Sequence, residues 1–179
     1  MAERRSFKFG PWLSLGVALL LLLPIVGYFI LVGHTHAKFY AKLNTEWIIQ
    51  TLDEGCKAYK AEYGSFPSND RGDSRCLHFY LGSPRLMKPP NDSAPGPTVK
   101  MPPFVDFPVD WLQLPAGLIP DPSKPSPIID SWGNPIKYAN PGRINPKGVD
   151  IWSSGPNGKD ELDPKHPDFD DITNWQRDY

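Results

Sequence analysis

The chain has 179 residues, 19 Lys plus Arg against 20 Asp plus Glu, and a formal net charge of −1. A near-neutral chain offers no basic field to meet phosphate charge, which argues against a nucleic-acid binder. Its 22 prolines, about 12% against a usual ~5%, exclude an all-helical bundle and a large regular sheet, because each removes a backbone donor and fixes φ.

Residues 9–37 carry no formal charge, and within them 11–33 reads PWLSLGVALLLLLPIVGYFILVG. Those residues as a helix span roughly 35 Å, enough for a ~30 Å hydrocarbon core with some tilt. A secretory signal has a shorter apolar region of ~7–15 residues and a small-residue cleavage site. The exit here, GHTHAKFYAKL, has no good A-x-A site, so 11–33 is expected to be an uncleaved transmembrane helix. Arg4, Arg5 and Lys8 precede it, which places 1–10 in the cytoplasm and the rest outside. Pro24 is expected to kink the span.

From 34 to 64 the pattern stays helical. Apart from the adjacent Trp47 and Ile48, the residues Phe39, Leu43, Trp47, Ile48, Leu52, Cys56, Tyr59 and Tyr63 recur three to five apart, so most share one face that packs on the chain's own domain. No proline lies between Pro24 and Pro67, so span and extension can form one helix. Gly64-Ser-Phe-Pro67 ends it, glycine followed by proline being a common stop.

Residues 65–127 read as a Pro-rich variable loop, with 13 prolines in the 45 residues of 83–127. Such a stretch favours extended or polyproline II backbone. Phe104, Phe107, Val109, Trp111, Leu112 and Leu114 are too frequent for a free linker and predict a loop laid over the domain. Binding of a partner by the proline segment is the alternative.

Residues 128–179 read as turns and strands. Trp132-Gly-Asn-Pro135 is a turn, Ile136-Lys-Tyr-Ala139 alternates as a strand, and Val149-Asp-Ile-Trp-Ser153 does so again. Gly155-Pro-Asn-Gly158 then opens an acid-rich tail. From Asp150 to Tyr179 there are eight acids against three Lys or Arg. That tail is either a cation-binding loop or a solvated end, and the residues alone leave both open.

Cys56 and Cys76 are the only cysteines. In an oxidising compartment a bridge between them would stabilise by roughly 3 kcal/mol; two unpaired thiols are the other reading. A redox pair is not indicated, since no C-x-x-C is present. His34 and His36 read as interfacial, and His78 and His166 lack a nucleophile-and-acid arrangement. Arg71-Gly-Asp73 and Asn91-Asp-Ser93 are short enough to recur by chance. Trp132, Trp152 and Trp175 read as anchors of a small sheet rather than a carbohydrate platform. There is no Gly-rich phosphate loop, no H-E-x-x-H and no G-x-S-x-G, so no enzymatic activity is expected.

The order of pieces resembles the major pseudopilin family of type II secretion systems, a branch of the type IV pilin-like proteins. Four stretches carry the resemblance: the apolar N-terminal helix, the helix exit Tyr63-Gly-Ser-Phe-Pro67, the set Asp130, Trp132, Gly133, Asn134, Pro135, Tyr138, Pro141, Gly142, and the closing set Ser153, Gly155, Asn157, Gly158, Asp171, Ile172, Asn174, Trp175. Residues 70–127 have no counterpart.

The resemblance implies an α+β, pilin-like fold: a long membrane-anchored helix, the Pro-rich loop, and a small antiparallel β-sheet head. It implies a structural subunit or partner of a secretion or pilus-like assembly, single-pass in a bacterial inner membrane with a periplasmic C-terminal domain. The partners implied are other pilin-like subunits or inner-membrane secretion components. The alternative is an anchored, non-polymerising binder of an extracytoplasmic ligand. The resemblance also implies calcium in the C-terminal loop, held by Ser154, Asn157 and Asp171, with Asp160 and Asp170 as substitutes and Asp163 and Asp168 as further candidates. The N-terminus departs from the pattern: Gly10 is followed by Pro11, and no glutamate lies between Glu3 and Glu46. Cleavage at Gly10–Pro11 is therefore not expected.

Overall fold

A computed structural model describes residues 11–87, 99–161, 163, 165, 166 and 168–175, with side chains omitted at 11–21, 34, 85–87, 99 and 100. The Gly10–Pro11 junction and Asn91-Asp-Ser93 lie outside the described residues. Contacts divide the chain into a first unit ending at Tyr40 and a second unit, Ala41–Tyr179.

Helix α1 is continuous over Pro11–Tyr63, with Pro24 inside it. The absence of a second internal proline lets one hydrogen-bonded ladder run through the apolar and amphipathic parts alike. In the first unit Leu22, Leu23, Ile25, Val26, Tyr28, Phe29, Ile30 and Leu31 are all exposed. Among the described residues no helix is long and apolar enough to cross a membrane. Side chains of 11–21, about half of the span expected at 11–33, lie outside the described residues.

In the second unit the helix turns one stripe inward. Ile48, Ile49, Leu52 and Cys56 are buried at helical spacing, each large side chain contributing about 1.5–3 kcal/mol of burial. Gly55 lies on that stripe, where a Cβ would sit 2.6 Å from Val105 Cγ2. Its ~1 kcal/mol helix penalty is offset by the close approach of the 104–107 segment. The helix stops as the sequence predicts: Gly64 takes φ +79°, and its N–H donates to Lys60 O at 2.8 Å.

The proline-rich region has more structure than a loop. Helix α2, Arg75–Gly82, buries Cys76, Leu77, His78 and Leu81. The Asp73 carboxylate accepts the Arg75 N–H at 2.9 Å, which uses the acid of Arg71-Gly-Asp73 at the start of the helix. Strands β1 (Arg85–Met87) and β2 (Val99–Met101) form an antiparallel pair. Phe107, Trp111 and Leu112 then join the core, as their frequency predicts, with a 3-10 turn at Val109–Trp111.

The last element is a three-stranded antiparallel sheet, ordered β3 (Lys137–Ala139), β4 (Asp150–Ser153), β5 (Ile172–Thr173). Tyr138 faces Ile151, and Ser153 faces Ile172. The architecture is thus α+β, a long N-terminal helix with a small antiparallel sheet. Cys56 and Cys76 are buried and stand as free thiols; Cys76 Sγ donates to Asp73 O at 2.8 Å.

Candidate metal centre

Two turns position the C-terminal loop. Asp130 Oδ1 accepts the N–H groups of Trp132 at 2.9 Å and Asn134 at 2.8 Å, folding the first turn around its carboxylate. Its Oδ2 accepts the Ser153 hydroxyl at 2.6 Å, and Ser153 Oγ accepts the Gly155 N–H at 3.0 Å. Asn134 Nδ2 reaches Gly155 O at 2.8 Å. The 130–135 turn and the 153–158 turn are therefore one network, which is why Asp130, Asn134, Ser153 and Gly155 are needed together. Gly155 has φ +61°, and a Cβ there would collide with the backbone carbonyl of Asp170, so the returning chain passes directly against this glycine.

That passage brings three carboxylates together. Oxygens of Glu161, Asp170 and Asp171 all lie within 4.8 Å of one another. Asp171 Oδ2 accepts the Glu161 N–H at 3.1 Å, and Asp170 Oδ2 accepts the Asn157 N–H at 3.2 Å. The other oxygen of each aspartate, Oδ1, is buried without a hydrogen-bond partner. An unpartnered buried carboxylate oxygen is costly. Burial pushes Asp171 up to about 6, and the charges of Asp160, Glu161 and Asp170 push the same way. Asp170 is raised by burial and by the charges of Glu161 and Asp168.

This donor set fits a hard divalent cation. Calcium takes roughly six to eight oxygens, carboxylates foremost, and the two orphaned Oδ1 atoms are oxygens in want of a positive partner. Glu161, Asp170 and Asp171 are the residues that would hold it.

The predicted ligands divide. Asp170 and Asp171 are in the cluster. Asn157 borders it, but its amide donates, Nδ2 giving hydrogen bonds to Glu161 Oε2 at 2.9 Å and Asp168 O at 3.3 Å, while Oδ1 accepts the Lys159 N–H at 2.6 Å. Ser154 and Asp160 face Lys137: its ammonium pairs with Asp160 and donates to Ser154 Oγ at 2.9 Å, and Ser154 donates to Asp160 Oδ1 at 2.9 Å. Burial raises Asp160, but hydrogen bonds from Lys137, Ser154 and Trp152 with the lysine charge more than offset it, leaving its pKa lowered. Asp163 Oδ1 accepts the Lys165 N–H at 3.0 Å, and Asp168 contributes its carbonyl to Asn157. Glu161 is the residue that sequence reasoning missed; the signal was a second acid immediately after the Gly158-Lys-Asp run. The tryptophans serve the sheet: Trp132 packs against the core, and Trp152 meets Trp175 edge-on at 6.2 Å.

No protein-family model matches the sequence, and no curated protein matches it. Among solved structures the chain is similar to the major pseudopilin from the type 2 secretion system of enterohaemorrhagic Escherichia coli. The likeness has 19% sequence identity and a TM-score of 0.42, over 79% of this chain and 87% of that one.

Proposed function

We propose that this protein is a membrane-anchored, pseudopilin-like structural subunit or partner of a type II secretion or type IV pilus-like assembly. It is non-enzymatic, and calcium stabilises its C-terminal loop. One observation carries the reading. Eight large apolar side chains within 22–31, on every side of α1, are exposed, far more apolar surface than a soluble chain leaves uncovered. A bilayer or the helices of neighbouring subunits would cover it. Continuity of α1 into the head, and the turn network that presents the acidic cluster, support the same reading.

The basic residues before the apolar run set the orientation: N-terminus in the cytoplasm, head in the periplasm. The test is cross-linking in native membranes, with mass spectrometry of the N-terminus. Membrane fractionation, a chain beginning upstream of Pro11 and a ladder of cross-links to pilin-like subunits are the expected results. A chain that stays in the soluble fraction would overturn the anchor. A membrane-bound chain that yields only uncross-linked monomer would favour the non-polymerising ligand binder.

A further inference from the structure

Helix α2 and its N-cap residue, Ser74, offer two side chains, one turn apart, to an extended segment of the proline-rich region. Ser74 Oγ accepts the Ile128 N–H at 3.0 Å, and His78 Nδ1 accepts the Ser126 N–H at 3.0 Å. Alternate backbone amides are thus paired to side chains at i and i+4, so the helix face substitutes for a strand edge. Both Ser74 and His78 are fully buried. The 121–127 strap has one internal turn, Lys124 N–H to Asp121 O at 2.9 Å, and at its end Pro127 O accepts the Gln113 N–H at 2.9 Å. The His78 bond at Ser126 fastens it to α2, with Ser74 holding the next residue but one, Ile128.

The histidine bond depends on protonation. A ring nitrogen that accepts an amide proton carries none of its own, so neutral His78 has its proton on Nε2. Nε2 is buried and has no acceptor. Around the ring lie Phe107, 5.0 Å centre to centre, and the backbone of Gly82, where an added Cβ would stand 3.3 Å from His78 Cδ2. The charged group acting on the ring is Asp121 on the strap, which favours the proton; burial opposes it more strongly, and the pKa lies below the ordinary 6.5. A second proton at Nδ1 would face the Ser126 N–H head-on and leave two buried donors without acceptors.

We propose that His78 is an acid-operated latch: proton uptake at Nδ1 breaks its bond to Ser126 and releases the 121–127 strap from α2. The released ring gains water and the Asp121 carboxylate as acceptors. The Ser74–Ile128 and Gln113–Pro127 bonds hold the far end, so release is local to 121–126.

Hydrogen exchange on the full chain in detergent tests this, with rates corrected for intrinsic pH dependence. An opening that takes up one proton becomes about tenfold more populated per pH unit once pH falls below the ordinary histidine value. The Ser126 amide should follow that slope between pH 6 and pH 4.5, while amides of β4 stay protected. In His78→Asn the side-chain oxygen can accept from Ser126 without titrating, and the slope should vanish. An equal slope in both proteins would overturn the latch. The unmodified protein gives an independent check that survives a misfolded variant. Imidazole 15N shifts should report the Nε2–H form at pH 7 and protonation only in step with strap exchange. An Nδ1–H form, or protonation with Ser126 still protected, would also overturn it.

Discussion

Asn174 Nδ2 donates to Asp53 Oδ1 at 2.9 Å, across 121 residues of sequence, and so ties the C-terminal strand region to the last third of α1. Asp53 is buried and pairs with Lys57 at 2.6 Å. The same Asn174 amide donates to Val149 O at 3.0 Å, and its oxygen accepts the Ile151 N–H at 3.0 Å. One side chain therefore extends the edge of β4 and anchors the sheet to the helix.

Asn174→Ala should be among the costliest single changes outside the apolar core. It leaves the Ile151 N–H and the Val149 carbonyl without this partner and removes one from a buried carboxylate. At roughly 1–3 kcal/mol per stranded buried group, partly recovered by water, a loss of about 3 kcal/mol is expected. Thermal melting should fall by about 10 °C. A drop of one or two degrees would mean the clip is redundant.

Asn174 also marks what sequence could and could not give. The closing pattern Asp171-Ile-x-Asn-Trp was visible as a motif and the strands at 136–139 and 149–153 by their period-two alternation, but β5, Ile172–Thr173, is too short to alternate and was not. That the asparagine serves α1 was not visible, since no local rule links positions 53 and 174. Helix α2 was missed for another reason. Its start, Asp73-Ser74, and its apolar positions Leu77 and Leu81 are ordinary helix signals, but eight residues beside a proline-rich stretch read as loop. In the acidic loop the resemblance singled out the two late aspartates, which the structure brings together with Glu161. The diversion of Ser154 and Asp160 was not legible, because Lys137 reaches them from a different strand.

Lys137 supplies a test of that diversion. Asp160→Asn removes the ion pair but none of the clustered carboxylates, so the calcium-dependent rise in melting temperature should persist. Both partners are well exposed, and at pH 7 the loss should be no more than about 1 kcal/mol. The pH dependence has a definite sign. Asp160 is held below 3.8 in the folded chain, so its contribution is present above that value and fades as pH falls through the lowered one. Asp160→Asn should therefore differ from the parent at pH 7, and the difference should shrink as the pH is taken below 3.8. Loss of the calcium response in this variant would restore Asp160 as a ligand.

The cysteines call for care in how they are probed. Burial raises Cys56 well above its ordinary value, with the Asp53 charge adding to it, and raises Cys76 to about 12. The thiolate is the reactive form, so neither should alkylate in the folded protein at pH 8, bridged or not. The expected bridge must be sought after denaturation without reductant. Peptide mapping of chain taken from an oxidising compartment separates the two states. Two alkylated thiols match the free pair seen in the structure and exclude the bridge, and one Cys56–Cys76 link would mean that the compartment oxidises it.

Glu161, Asp170 and Asp171 converge with two oxygens unpartnered, and an ion bound only by the folded loop stabilises it by RT ln(1 + [L]/Kd), about 2.7 kcal/mol at a hundredfold excess over Kd. The chain should melt several degrees higher in millimolar calcium than in chelator, with magnesium a poor substitute because it demands a tighter octahedron. Asp171→Asn and Glu161→Gln should each abolish most of that difference. Asn157→Ala should weaken it, by loosening Glu161 and the returning chain rather than by removing a ligand. The pH dependence follows from Asp171, whose carboxyl sits at about 6 in the metal-free fold against an ordinary 3.8. A raised carboxyl binds its proton better folded than unfolded, so this group's stabilisation is complete below 3.8 and is lost as pH rises through 6. Protons and calcium then compete for the same oxygens. The calcium-induced shift should be greatest at pH 7–8 and shrink steadily below pH 6. A shift that is absent at pH 7.5, or that survives both Asp171→Asn and Glu161→Gln, would show that this cluster holds no calcium.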